Sequence, residues 1–144
     1  MAVVRCCGQV LLLPPGSAAV PAPAAWGPPA REDLAGLHRG LWGLPLTAWF
    51  PAAAEPGPGP SFALDLWRRW AGSALVRPPV AAGRIAHGIT RFRLAVEVVA
   101  LELRAGTDAG APGGADAVWS PWPPVHPVSK LVRKVVARES HGSG

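Results

Sequence analysis

The stretch RFRLAVEVVALEL, residues 91–103, gives the clearest strand signal in the chain and decides its fold. From 92 to 98 every second side chain is apolar, which is the period of a half-buried β-strand. Beyond Val98 the phase changes, and the odd-numbered positions 99, 101 and 103 become the apolar set. Because a one-residue change of phase moves the apolar side chains to the other face of a strand, we predict a β-bulge near Val98-Val99.

Further strands are predicted on both sides of this segment. Residues 83–90 are expected to form its partner strand and the tip of a hairpin. Near the amino terminus, Ala2–Cys7 and Val10–Leu13 are β-branched and aliphatic runs separated by Gly8-Gln9, which indicates either a strand pair or one long bent strand. A short strand is expected at Ala117–Trp119.

A first helix is predicted between the strands. It begins near Ser61, whose hydroxyl can cap the helix, and carries Asp65 in the following turn. It ends at Gly72, where a left-handed residue is favoured. Its expected apolar face consists of Phe62, Ala63, Leu66, Trp67 and Trp70.

A second helix is predicted after the proline-rich residues 119–127. Its apolar residues have helical spacing and form one buried stripe, whereas basic residues form the other side. The stripe is Val128, Leu131, Val132, Val135 and Val136, and the basic residues are Lys130, Arg133, Lys134 and Arg138.

The order of strands, helix, long strands and helix predicts an α/β (α+β) fold in which a mixed β-sheet is flanked by helices. With 144 residues the chain has the length of one domain, which we place at 1–139. The Pro/Gly/Ala-rich residues 14–39 and 51–60 are expected to be loop insertions, and 140–144 a flexible tail.

The composition excludes a solvated disordered chain, since 49% of the residues are hydrophobic and only 16% are charged. The formal net charge of +5 favours a polyanionic partner. Cys6 and Cys7 have no metal-binding spacing, and neighbouring strand residues point to opposite faces, so we expect two reduced structural cysteines. With no membrane span or signal peptide expected, the chain is predicted to be cytoplasmic.

Several segments together resemble the C-terminal domain of MutY-type adenine DNA glycosylases. GLWGLP at 40–45 is similar to the family's Gly-Leu-Trp-x-Phe-Pro, and HGITRFRL at 87–94 is similar to its His-x-Phe-Ser-His-x-x-Leu. RWAG at 69–72 stands where the family ends a helix, and Trp119 and residues 127–131 match the close of the domain. The resemblance covers most of residues 2–138 and rests on the order and spacing of these segments.

The resemblance implies a Nudix-like fold and a role in base excision repair, in which the domain reads 8-oxoguanine opposite adenine. The family's catalytic domain, with its iron–sulfur cluster, has no counterpart here, because two cysteines cannot supply four thiolates. We therefore expect a chain that is not an enzyme by itself and has no cofactor. In an active Nudix hydrolase carboxylates hold Mg²⁺, but alignment on Gly72 puts Arg69 and Trp70 at two of the Glu positions and Leu66 at a third.

The resemblance also implies a lesion-recognition site at the hairpin tip. Thr90 takes the place of the family's serine, so its hydroxyl can both donate to and accept from the altered purine edge. Ile89 replaces an aromatic residue, and Arg91 replaces a histidine. His87 completes the predicted site, although a histidine before a strand is commonly a structural residue.

The expected partner is double-stranded DNA containing 8-oxoguanine paired with adenine. A separately encoded glycosylase catalytic domain is a second expected partner, and no membrane is expected. Two alternatives stay open at this point: a Nudix-type hydrolase of nucleoside diphosphate derivatives, and a non-catalytic fragment of a longer glycosylase. The predicted phosphate contacts are Arg93, Lys130, Arg133 and Lys134.

Overall fold

The structure is a computed structural model that describes residues 1–30, 40–51, 63–89 and 92–142. Its strands are β1 (Ala2–Cys6), β2 (Gln9–Leu12), β3 (Val80–Ile89), β4 (Phe92–Glu102) and β5 (Val118–Ser120), and its helices are α1 (Leu64–Ala71), α2 (Gly110–Gly113) and α3 (Lys130–Gly142). The strands form one sheet in the order β3-β4-β1-β2-β5. Only β1 and β4 are parallel neighbours, and the other neighbouring pairs are antiparallel. The predicted mixed sheet flanked by helices is confirmed.

Strands β1 and β2 form a tight hairpin, so the amino-terminal segment is a strand pair and not one bent strand. Cys7 and Gly8 form the turn with φ angles of 54° and 81°, the left-handed values that two-residue hairpin turns require. The predicted strand end at Cys7 is therefore wrong by one residue. Because strand alternation stops at Cys6, the two cysteine side chains do not point to opposite faces, and their sulfurs lie 3.9 Å apart.

Strand β4 is buried on one face in its first part and on the other face in its later part. Leu94, Val96 and Val98 pack in a cluster with the apolar stripe of α3. Val99, Leu101 and Leu103 pack in a separate cluster that contains residues of α1. The change of phase seen in the sequence therefore marks a change in which helix covers the strand.

The predicted β-bulge belongs to the neighbouring strand. Ala81 pairs with Val99 and Gly83 pairs with Val98, so Ala82 is the additional residue, on β3. The position of the bulge along the hairpin was predicted correctly, but the extra residue lies on β3 and not on β4. A phase change in β4 alone cannot reveal which of two paired strands carries the extra residue.

Helix α1 ends at Gly72, as predicted, with φ of 61°. Leu66, Trp67 and Ala71 are its buried residues, whereas Trp70 at the edge of the stripe is half-buried. The predicted cap Ser61 and the apolar Phe62 lie outside the described residues. Trp67 is 2% exposed, and complete burial of one large apolar side chain stabilises a fold by about 1.5–3 kcal/mol.

Helix α3 begins after Ser129, whose hydroxyl accepts a hydrogen bond from the backbone N–H of Val132 at 3.1 Å. Its predicted stripe from Leu131 to Val136 is confirmed as buried. Near its other end, the buried carboxylate of Glu139 accepts a hydrogen bond from Nε of Arg5 at 2.8 Å and so joins the helix to β1. The helix continues to Gly142, which corrects the predicted start of a tail at residue 140.

The segment at 40–45 closes one side of the sheet. Gly43 exchanges two backbone hydrogen bonds with Leu13, and the carbonyl of Pro45 accepts a hydrogen bond from the N–H of Ala2. The described part of the predicted loop insertion at 14–39 is bonded to the same region, since the N–H of Val20 donates to the carbonyl of Leu46. No helix among the described residues has the length and apolar character to cross a membrane.

Candidate nucleic-acid interface

The hairpin of β3 and β4 carries the predicted lesion-recognition residues. Its last described pair is Ile89 with Phe92. Thr90 and Arg91, two of the predicted residues, lie outside the described residues. Of Ile89 only the backbone is described, so His87 is the one predicted lesion contact whose side chain can be placed.

His87 faces helix α3. It pairs with Leu94, which is buried against that helix, and the Nδ1 of His87 lies 3.0 Å from the Nζ of Lys134. An ammonium group only donates hydrogen bonds, so Nδ1 accepts and the imidazole is neutral. Burial lowers the pKa of His87 below its ordinary value, and the positive charges of Lys134 and Lys130 lower it further.

Three cations form a row on the flank of α3 that faces β3. Lys130, Lys134 and Arg138 are spaced by four residues, and the row therefore extends about 12 Å along the helix. Gly83 makes room for its last member, because a Cβ at this position would lie 2.6 Å from the Nε of Arg138. We call Lys130, Lys134 and Arg138 the cation row, beside which His87 lies.

Within the described parts of the chain, no carboxylate forms an ion pair with the cation row. The ion pairs formed there join Arg5 to Glu139, Arg68 to Asp65, Arg77 to Glu102 and Arg84 to Glu97. The positive charges of the row are consequently not neutralised by direct contact with a carboxylate of these described residues. Such an arrangement favours binding of an anion.

Two predicted phosphate contacts do not belong to the cation row. Arg93 pairs with Gly88, one position from the pair of His87 and Leu94, so it lies on the opposite face of the sheet, where it is exposed. Arg133 precedes Lys134 by one residue, which turns it about 100° away around the helix. The structure brings Lys130 and Lys134 together and leaves Arg93 and Arg133 apart.

An aromatic pair lies at the start of α3. The rings of Trp42 and His126 have centroids 4.3 Å apart, and the backbone N–H of Trp42 donates to the carbonyl of Pro127. The Nδ1 of His126 is buried and has no hydrogen-bond partner among the described residues. Sequence reasoning missed His126, because a single histidine in a proline-rich segment carries no periodic or motif signal.

Helix α1 offers a poor setting for the Mg²⁺ chemistry of Nudix enzymes. Its Asp65 lies 3.7 Å from Arg68, and Trp70 packs edge-on against Trp67. In the part of the chain that the structure describes, no group of three His, Cys, Asp or Glu side chains could hold a metal ion.

The sheet order, the helix on each face and the basic helix beside the long hairpin define a small α+β domain, an architecture consistent with a Nudix-like fold. A solved structure with this fold is that of the C-terminal domain of mouse MUTYH in complex with human PCNA. The likeness has a TM-score of 0.60 at 19% sequence identity and covers 99% of this chain and 86% of that chain. No family model matches the sequence, and no curated protein matches it either. The predicted likeness in fold to the C-terminal domain of a MutY-type glycosylase is thereby confirmed.

Proposed function

We propose that this chain is a DNA-binding module that reads 8-oxoguanine paired with adenine and has no glycosylase chemistry of its own. The observation that carries the proposal is the cation row beside the β3–β4 hairpin. The shared fold with the MUTYH domain and the resemblance of residues 40–45 and 87–94 to MutY-type glycosylases support it.

The cation row suits the phosphate backbone of a duplex. Each strand of B-DNA has one phosphate per about 3.4 Å of helix axis, so a row of about 12 Å reaches roughly three phosphates on one strand. Bound phosphates would replace the repulsion among Lys130, Lys134 and Arg138 by attraction. Because α3 is anchored by its apolar stripe and by the ion pair between Arg5 and Glu139, the row is presented on a rigid element.

Lesion reading is assigned to the hydroxyl of Thr90. At N7, 8-oxoguanine has an N–H donor where guanine has an acceptor, and at C8 it has a carbonyl oxygen. A hydroxyl can accept from the first group and donate to the second, whereas guanine presents an acceptor at N7. With guanine the hydroxyl donates to N7 instead and loses its second hydrogen bond, because C8 then carries no oxygen. One net hydrogen bond is worth about 0.5–1.5 kcal/mol, which corresponds to a preference of about 2- to 12-fold.

The neighbours of Thr90 have supporting roles in this proposal. Ile89 supplies an apolar contact without an aromatic face for stacking. Arg91 supplies a permanent charge suited to a phosphate or to the O6 and N7 edge of a guanine. The loss of the stacking face lowers selectivity for the lesion, and the added charge raises affinity for any duplex.

Fluorescence anisotropy with two duplexes tests the proposal, one with 8-oxoguanine opposite adenine and one with guanine opposite adenine. We expect the wild type to prefer the first duplex, Thr90→Ser to keep the preference, and Thr90→Val to lose it. Equal affinity of the wild type for both duplexes would contradict the proposal that the chain reads the lesion. Absence of binding to either duplex at low salt would remove DNA as the partner.

A protein partner is the second candidate, because the MUTYH domain of the same fold was solved in complex with human PCNA. Size-exclusion chromatography of this chain mixed with PCNA tests it. Co-elution supports a protein-binding role, and separate elution at micromolar concentrations contradicts it.

A further inference from the structure

We propose that Cys6 and Cys7 are a vicinal dithiol that a hydroperoxide oxidises to a reversible Cys6–Cys7 disulfide. The two sulfurs lie 3.9 Å apart at the β1–β2 turn. This site lies at the other end of β4 from the hairpin tip: Arg5 pairs with Glu102 at the end of β4, whereas Phe92 by the tip is at its start. The ten residue steps of β4 between them span about 33 Å.

The turn places an exposed thiol next to a buried one. Cys7 is exposed and adopts φ of 54°, a conformation that Gly, Asn and Asp adopt more readily than other residues. Cys6 is 5% exposed and donates its S–H to the backbone carbonyl of Arg104 at 3.1 Å. The two thiols therefore differ in accessibility although they are neighbours in the chain.

This difference assigns the two thiols their roles. Burial and the contact with Cys7 raise the pKa of the Cys6 thiol, which keeps Cys6 protonated. Because the thiolate is the nucleophile, the exposed Cys7 reacts first and Cys6 second.

The reaction balances in two steps. The Cys7 thiolate attacks one oxygen of the hydroperoxide, the O–O bond breaks, and the other oxygen leaves as alcohol or water while Cys7 becomes a sulfenic acid. The Cys6 sulfur then attacks the Cys7 sulfur, the S–O bond breaks, and the hydroxyl leaves as water with the Cys6 proton. Overall, two thiols lose two hydrogens and the hydroperoxide is reduced.

Closure requires only local movement. The sulfurs must approach from 3.9 Å to a bond length of about 2 Å. Gly8 has no side chain, and no neighbouring atom lies within 4 Å of where its Cβ would be, so the turn has space to rearrange. Adjacent Cα atoms are only about 3.8 Å apart, below the usual range for a disulfide, so the bond is strained and a thiol reductant reopens it easily.

Intact-mass spectrometry of the folded full chain, with a count of free thiols, tests this proposal. After one equivalent of hydrogen peroxide we expect a monomer that has lost two hydrogens and both free thiols, and that recovers them with a reductant. Cys7→Ser should show no such loss, and Cys6→Ser should stop at a sulfenic acid that a sulfenic-acid probe captures.

Three results would overturn the proposal: a gain of oxygen with no disulfide, a covalent dimer of two chains, or thiols that stay unreacted while added glutathione is oxidised. If Cys6→Ser fails to fold, the wild type and the exposed-site variant Cys7→Ser still decide the matter.

Discussion

The Nζ of Lys134 lies 3.0 Å from the Nδ1 of His87, so a lysine of the last helix and a histidine of the edge strand β3 share one hydrogen bond. The contact requires a neutral imidazole. It places a titratable group beside a row of permanent cations.

Replacement of Lys134 by Gln is expected to raise the pKa of His87 toward its ordinary value of 6.5, because one of the charges that lowers it is removed. The folded-state pKa lies below the unfolded one, so His87 costs stability as the pH falls below about 6.5. Lys134→Gln should reduce that loss. An NMR titration of the His87 ring protons measures the shift, and Arg133→Gln, on the same helix but turned away from His87, is the control that should leave the pKa in place.

DNA affinity should rise as the pH falls through the range in which His87 titrates. Bound phosphates favour the imidazolium, so binding takes up a proton. Anisotropy titrations at several pH values measure this, and His87→Gln should give a flatter profile. A wild-type profile as flat as that of the variant would show that His87 lies outside the interface.

The loss of one row cation should weaken binding to every duplex alike. Lys134→Ala or Arg138→Ala is expected to lower the magnitude of the slope of log K against log salt by about one, the value for a single phosphate contact. Arg68→Ala removes the same charge from α1, on the other side of the sheet, and should leave the slope nearly unchanged. Equal effects of Arg68→Ala and Arg138→Ala on the slope would show that the net charge of the protein, and not the position of the cation row, determines DNA binding.

Replacement of Gly83 by Ala should destabilise the fold by about 1–3 kcal/mol, since φ is 113° and an added methyl group would displace the Arg138 guanidinium. Gly88→Ala on the same strand is the matched control: no atom lies within 4 Å of its Cβ position, and its φ is not left-handed. Urea unfolding of both variants measures the difference. Equal losses of stability would argue against the strained conformation at 83.

Replacement of Arg5 by Met should cost about 3 kcal/mol or more, because it leaves the buried carboxylate of Glu139 without its partner. In the double variant with Glu139→Gln, most of this stability should return, since no charge is then buried unpaired. Chemical denaturation at pH 7 compares the two. If the double variant is as unstable as Arg5→Met, the loss of stability comes from lost packing of the Arg5 side chain and not from the unpaired carboxylate.

The strands and helices could largely be predicted from the sequence because their signals are local. The alternation that predicts β4 and the apolar stripe that predicts α3 are each visible within about ten consecutive residues. The end of α1 is indicated by a single residue, Gly72. The bulge could not be assigned to β3, since its position depends on pairing between two strands. The turn at Cys7 was missed because cysteine is not a usual residue at a left-handed position.

The candidate site was less accessible to sequence reasoning. The helical spacing of Lys130, Lys134 and Arg138 was visible, but the contact of Arg138 with Gly83 joins positions 55 residues apart. Nothing in residues 91–103 indicates that Arg93 lies on the face away from α3, because that requires knowing which face the helix covers. The separation of Arg93 from the cation row follows from the tertiary packing of α3 on the sheet.

The division of the apolar side chains into two clusters on either side of the sheet has a consequence for the way the domain opens. Helices α1 and α3 rest in different clusters, so one can detach while the other still shields the remaining face. Undocking of α1, which is eight residues long, exposes less apolar surface than undocking of α3, which has thirteen. Native-state hydrogen exchange should therefore find the amides of α1 released at a lower free energy than those of α3, while the longer helix still covers its face of the β3–β4 hairpin.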